Sequence, residues 1–364
     1  MSVFAPPNHL ADAPRFSALA TVLRRHGPNR VGTPEEVVAR AQRAERDQFD
    51  VVCLSDLGMA EAFPAITLAA LQTKQIAIST RVIGVFSHSP VLFASGASWV
   101  NQISGGRFSL ALGASLRSIV EEIHGGRYGR PIGRMTDTLK LYRALFGEEV
   151  PGVRQNGDGT LAYEGETLSV ERAVLDLPGE RPPIIVAASA PRMLQVAGAW
   201  ADGAIVEYTS PGYLRWAWEQ IELGARRTGR SLANFDLCAE TTFHSEVDDP
   251  ALVARQESWM AALVNHCVMT QFDYLWEPAG LIETARAVRA AVECGDRGEA
   301  DRIALAEIVP QIAVSGPRDQ APAVFHRWFL ERRALGVTTF AVPLELGDFV
   351  GVTVEQAKSW VVGA

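Results

Sequence analysis

Four residues join a proton-transferring side chain to the end of an apolar run. Asp56 closes "DVVCLSD", His88 sits in "FSHSP", and Glu207 and Tyr208 follow "DGAIV". A carboxyl, imidazole or phenol placed there could give or take a proton beside a bound molecule, provided its surroundings tune it to the working pH. Two of them also have a plainer reading. Asp56 suits a cap, and His88 suits a hydrogen bond within its own loop.

A second group of residues could hold an anion. In "PPIIVAASAPRMLQVAG" an apolar run passes through small residues into Pro191, a residue suited to the first helical turn. The N–H groups of Ala190, Arg192 and Met193, the Ser189 hydroxyl and the helix dipole would together cradle a phosphate. An ordinary N-cap at Ser189 explains the same residues equally well. In "RFSLALGAS" a buried strand reaches Gly113, Ala114 and Ser115, and a glycine at a strand end admits a planar ligand close to the backbone. The preceding "ISGGR" needs only a left-handed helix stop at Gly105 and Gly106.

Other chemistries lack their residues. HExxH, paired CxxC, Walker and GxSxG motifs are absent, and the seven histidines are dispersed, so no metal site is expected. "HGGRYGR" (124–130) is glycine-rich but follows no strand, which argues against a dinucleotide fingerprint.

The elements that must position these groups alternate regularly. "TPEEVVARAQRAERDQFD" carries Thr33 as an N-cap, Pro34 in the first turn and Glu36 at capping-box spacing, and "DVVCLSD" follows as a strand buried on both faces. Helix and strand then recur through "FPAITLAALQTK" and "QIAISTRVIGV", "SPVLFASGASWVNQISGG" and "RFSLALG", and on to "PRDQAPAVFHRWFLERRALG" and "VTTFAVPL". With a first strand near 15–22 there are about eight strands, an arrangement that favours a (β/α)8 TIM barrel over a doubly wound sheet. One domain is expected over 1–364. Its insertions, about 148–182 with a small hairpin and about 266–317 with extra helix, are expected at the C-terminal face of the strands. Trp216, Trp218, Trp276 and Trp328 read as helix packing.

Composition narrows the partners. The chain has 364 residues, 48% of them hydrophobic and 21% charged, as in ordinary globular proteins. A net charge of −8 and the lack of a basic run argue against nucleic acid, and no apolar run reaches membrane-spanning length. Cys53, Cys238, Cys267 and Cys294 are scattered and read as buried free thiols in a cytoplasmic protein.

The set "DVVCLSD", "ISTRV", "ISGGR", "LALGAS", "PPIIVAASAPRMLQVAGAWADGAI" and "GVTTFAV" resembles the luciferase-like monooxygenase superfamily, over about residues 30–345. That resemblance implies a TIM barrel with an isoalloxazine-like ring at the strand C-termini, bound as coenzyme F420 or as FMN, usually in a homodimer. It further implies a non-prolyl cis bond between Arg81 and Val82 backing the ring, Gly113, Ala114 and Ser115 at the fourth-strand end, and a phosphate loop at Ser189, Ala190, Pro191, Arg192 and Met193. Deazaflavin-dependent sugar phosphate dehydrogenases of the superfamily carry a histidine and a glutamate where this chain has Leu57 and Leu116. The departure turns the expectation toward an F420-dependent reductase delivering hydride to a C=N or C=C bond of a small organic substrate. An FMN-dependent monooxygenase and a non-catalytic cofactor-binding barrel stand as alternatives.

Overall fold

The computed structural model describes residues 14–19, 33–54, 61–175, 179–245, 257–258, 260–262, 264–265, 268–269, 272–317, 319–347 and 351–360. Eight parallel strands form its centre: β1 (Arg15–Leu19), β2 (Val51–Leu54), β3 (Ala77–Thr80), β4 (Phe108–Gly113), β5 (Ile184–Ala187), β6 (Gly203–Val206), β7 (Asp236–Glu240) and β8 (Thr339–Pro343). β8 lies between β7 and β1, and the remaining strands follow in chain order, so the sheet closes into a barrel. The strand expected over 15–22 is described over its first five residues, and 20–22 fall outside the described set.

Helices cover the outside: α1 (Pro34–Arg46), α2 (Ala62–Gln72), α3 (Pro90–Ser104), α4 (Pro131–Leu145), α5 (Pro191–Trp200), α6 (Pro211–Thr228), α7 (Ala321–Ala334) and α8 (Val354–Ser359). Their starts follow local chemistry. Thr33 Oγ1 accepts from the Glu36 N–H at 3.3 Å while Glu36 Oε2 accepts from the Thr33 N–H at 2.7 Å, completing the capping box. α3 stops at Gly105, whose φ of 68° is left-handed, and the Gly106 N–H reaches back to the Asn101 carbonyl at 2.8 Å. Arg107 then ties the ends of two helices together. Its guanidinium donates to the carbonyls of Ala70, Thr73, Ile76 and Ser104, so the arginine of "SGGR" is a helix-end clamp.

The N-terminal side of the strands is fixed by a second ionic knot. Asp202 accepts from the Ile184 N–H at 2.9 Å and pairs with Arg143, Arg181 and Arg230, while Glu148 pairs with Arg143 and Arg181. Asp202 belongs to the stretch "AGAWADG". The structure gives it a joining role between β5, β6 and the ends of α4 and α6.

The two insertions differ in placement. Residues 148–182 hold a three-stranded antiparallel sheet, Val153–Gln155, Leu161–Glu164 and Ser169–Ala173, more than the small hairpin expected. This sheet leaves the end of α4 and leads into β5, and its turn runs back along α4 to the helix start, where Arg130 pairs with Glu166. Tyr163 Oη, the Thr167 N–H and the Thr167 hydroxyl all donate to Asp137 of α4, and that buried carboxylate fastens the sheet to the helix. A cavity of about 820 Å³ lined by Leu145, Val150, Leu161 and Leu175 opens between them, at the other end of the barrel from Glu207. The later insertion follows β7 and does lie on the C-terminal side, with helices Ile282–Glu293 and Arg297–Ile303 and a strand, Ala313–Gly316, pairing in parallel with Thr242–Ser245.

Among the cysteines, Cys53 and Cys238 are buried and free, as expected. Cys294 is exposed, because it ends a surface helix of the later insertion, and Cys267 lies outside the described residues. Trp218, Trp276 and Trp328 are buried packing groups, and Trp216 stacks on Tyr274 with ring centroids 6.3 Å apart.

Candidate active site

Alternation along the strands decides which side chains enter the barrel. Ala111, Ile185, Ile205, Cys238 and Ala341 form a small interior cluster, flanked by Val82 and Ala187. Residues two further along the same strands therefore face the interior at the C-terminal mouth.

The wall at β3 is built around an extra residue. Ser79 pairs with Ser109, but the next rung pairs Ile83 with Leu112, so four steps on one strand match three on the other. Such a bulge leaves backbone groups of the partner without their ladder bonds. Thr80 supplies them. Its hydroxyl donates to the Ala111 carbonyl at 2.7 Å and accepts from the Ala111 N–H at 2.6 Å. The Arg81–Val82 bond inside the bulge is cis, at the position the resemblance implied.

Gly113 has a different neighbour from the one expected. A Cβ on Gly113 would lie 2.6 Å from Val82 Cγ2. The missing side chain makes room for Val82 of the bulge, so the surface facing the barrel mouth here is a valine packed on a glycine. Ser115, at φ 63°, and Tyr208, at φ 56°, are left-handed without being glycines, and both stand at strand ends on this rim. Ala114, between Gly113 and Ser115, is half-buried.

Arg81 turns its buried guanidinium across the interior. Nη2 donates to Glu240 Oε2 at 2.8 Å and Nη1 to Cys238 Sγ at 3.4 Å. Burial alone would weaken this cation, but Glu240 more than offsets that and holds it charged. Burial in turn pushes the Cys238 thiol up to about 12 and raises that of Cys53, so both remain neutral. Glu207 stands on the neighbouring strand. Its carboxyl is open to water through the mouth yet has protein on most sides, and this burial, with Glu240 nearby and Arg81 opposing, pushes it up to about 7.

The α5 start leaves room for the expected anion cradle. Its N-cap is Ala190, whose side chain cannot accept a hydrogen bond, and Pro191 opens the helix. That excludes the ordinary Ser189 cap and leaves the early helical N–H groups at Arg192 and Met193 without a side-chain cap. Ser189 is half-buried, Arg192 exposed and Met193 buried. Tyr213 Oη donates to the Ser189 carbonyl at 2.9 Å, and Tyr213 also senses the Glu207 charge, so the cradle and the carboxyl share one side of the mouth.

The remaining expected residues divide. His88 has both ring nitrogens engaged, Nδ1 with Ser87 Oγ at 2.8 Å and Nε2 with Glu61 Oε2 at 3.0 Å, and its ring packs on Phe63 and Phe93. That is the loop-holding role. Tyr208 packs edge-on against Trp276 with centroids 6.1 Å apart. Asp56 and Leu57 lie outside the described residues, and Leu116 is 56% exposed. Glu240 and Thr80 were not singled out by sequence. The signal for Glu240 was a glutamate that closes the apolar run "LCA", as Glu207 closes "AIV".

A closed parallel barrel whose titratable groups and helix N-terminus converge at the strand C-termini is a barrel enzyme of the kind that works at that face. Residues 15–339 match the luciferase-like monooxygenase family, and the chain belongs to it. The 5,10-methylenetetrahydromethanopterin reductase of Archaeoglobus fulgidus is 28% identical over 284 residues, 76% of this chain and 80% of that protein. Among solved structures, the coenzyme F420-dependent tetrahydromethanopterin reductase from Methanopyrus kandleri superposes with a TM-score of 0.69 at 22% identity, covering 94% of this chain and 99% of that one. An EDTA monooxygenase from Chelativorans sp. BNC1 superposes with a TM-score of 0.66 at 16% identity, covering 96% and 93%. Among the described residues no group of three or more His, Cys, Asp or Glu could hold a metal, and no helix is long and apolar enough to cross a membrane.

Proposed function

We propose that this oxidoreductase is an F420-dependent reductase that passes a hydride to a C=N or C=C bond of a small organic substrate. The observation that carries the reading is similarity, over three quarters of the chain, to a reductase of this family, joined to an uncapped α5 N-terminus at the mouth. The residues fit the cofactor's phosphate end. Ser189, Ala190, Pro191, Arg192 and Met193 would hold it through backbone N–H groups and the Ser189 hydroxyl, while Arg81, Val82, Gly113, Ala114 and Ser115 would form the surface behind the ring. When bound, a deazaflavin supplies a hydride from carbon where a flavin has nitrogen. The chain's part is to hold the acceptor near that carbon, keep bulk water away and provide a proton. Glu207 and Tyr208, at the mouth, are our candidates for that proton, and Asp56, which closes "DVVCLSD" in the sequence, is a further one. His88 positions the loop.

FMN is the second reading, and membership of a family named for monooxygenases supports it. We further assign the chain as one barrel domain that pairs with a second copy of itself. The supporting feature is an apolar stripe on α3, Leu92, Trp99 and Ile103, between 37% and 57% exposed, next to Leu71 of α2.

Fluorescence titration of the purified protein with F420 and FMN, each oxidised and reduced, tests the cofactor. Micromolar binding of F420 and none of FMN is expected. The reverse result overturns the cofactor assignment, and tight binding without turnover on any imine or activated alkene favours the non-catalytic barrel.

A further inference from the structure

We propose that Glu207 and Glu240 form an asymmetric carboxyl pair, in which Arg81 holds Glu240 as a carboxylate and Glu207 carries the proton delivered to the substrate. This role rests on the reductase reading given above.

Strand register places the two groups. β6 and β7 pair in step from Gly203 with Asp236 to Val206 with Ala239, and Glu207 and Glu240 are the next residue on each chain segment, which continues that register to bring them side by side. Parallel neighbours on one rung stand about 4.8 Å apart between strands. Ile205 and Cys238, two residues earlier on each strand, both belong to the interior cluster, so both carboxyls face inward at the mouth. Two carboxyls this close do not both ionise readily.

Among the described residues one cation acts on the pair, and its geometry is one-sided. Arg81 Nη2 lies 2.8 Å from Glu240 Oε2, and the other terminal nitrogen is turned to Cys238. Glu240 therefore takes the charge and Glu207 is left to carry the proton. Among the described residues the other groups around Arg81 and Glu207 supply no second cation: Cys238 on β7 and Cys53 on β2, which lie near Arg81, are neutral thiols, and Tyr213 of α6, near Glu207, is kept protonated by burial. The upward displacement of the Glu207 carboxyl agrees with this division.

The reaction balances with one proton and two electrons passing separately. The acceptor carbon of C=N or C=C gains the hydride, with both its electrons, from the reduced deazaflavin, which is oxidised. The π pair moves to the adjoining nitrogen or carbon. There a new N–H or C–H bond forms as the Glu207 O–H bond breaks, leaving a carboxylate. Glu207 regains a proton from water at the open mouth, balanced by a ring proton that the oxidised cofactor loses to solvent. Such a donor suits a neutral imine or a conjugated alkene, which needs a proton, better than an iminium ion, which arrives with one.

The test begins without cofactor. Infrared difference spectra across a pH titration should contain a protonated carboxyl band that disappears near neutral pH. The band should be absent in Glu207→Gln. In Glu240→Gln it should disappear at lower pH, because the like charge is gone and Arg81 is free to pair with Glu207, and Glu240→Asp should restore it. A band that survives Glu207→Gln, or that disappears at an ordinary carboxylate pH in the native protein, overturns the pair. With F420 and substrate, Glu207→Gln should lower kcat by about 100-fold or more with KM little changed. Undiminished turnover in Glu207→Gln, with the native carboxyl titration as expected, would overturn the proton-delivery role alone. Failure of F420 to bind would remove the cofactor reading while the carboxyl titration stood on its own result. Thermal melts of each variant identify any that has lost its fold.

Discussion

Glu207 and Asp202 pull the pH dependence of stability in opposite directions. Glu207 titrates higher in the folded chain than in the unfolded one, so its contribution is complete below the ordinary glutamate range and is lost as pH rises through about 7. Asp202 is displaced downward. Burial works against this, but Arg181, the Ile184 N–H and Arg143 prevail, so its contribution exists above the ordinary aspartate range and is lost as pH falls. Melting temperatures of native protein and Glu207→Gln, followed from pH 4 to 8, should therefore separate as pH rises, with the native protein falling more steeply between the ordinary glutamate range and neutrality. Parallel curves would show that Glu207 titrates normally. Sequence revealed Glu207 because it ends an apolar run and carries a charge. It did not reveal that Arg81 would commit itself to Glu240, since that partner lies 159 residues away and the inward phase of a wholly apolar strand cannot be read from its composition.

Elements were legible where local chemistry decides them and obscure where two elements meet. The capping box at Thr33, the glycine stop at Gly105 and the apolar strands each depend on a few adjacent residues, and the structure has them. The insertion at 148–182 was legible as strand and turn, yet its lie along α4 follows from Asp137 fastening it, a contact across some thirty residues. The bulge after β3 came from family resemblance, and its repair by Thr80 only from coordinates. The crossing of α5 and α6 is another meeting of this kind. A Cβ on Gly198 would come 1.9 Å from the Ile221 carbonyl oxygen, and one on Gly224 equally close to that of Gln195. Gly198→Ala gains about 1 kcal/mol of helix propensity. Separating the two backbones costs about 3 kcal/mol, so overlap wins. A net loss of about 2 kcal/mol should appear in denaturant unfolding, and a stabilised variant would mean that the helices separate freely.

At the scale of the whole molecule, the exposed stripe Leu92, Trp99 and Ile103 stands seven and four residues apart, hence on one face of α3. If that face meets a second copy, Trp99→Glu buries a charge at the interface and should convert a dimer to a monomer in size exclusion with light scattering, leaving the far-ultraviolet circular dichroism unchanged. A native monomer, or a variant that remains dimeric, would remove this face from consideration. The order of strands in the barrel carries a further consequence, for how the chain is made. β8 is the piece between β7 and β1, and it comes some hundred residues after β7. Throughout synthesis of the intervening segment the growing polypeptide therefore has two raw sheet margins, β1 and β7, with their N–H and C=O groups unmet. Completion of the barrel must wait for Thr339–Pro343 to leave the ribosome, which makes the nascent chain most vulnerable to sticking to its neighbours late in translation.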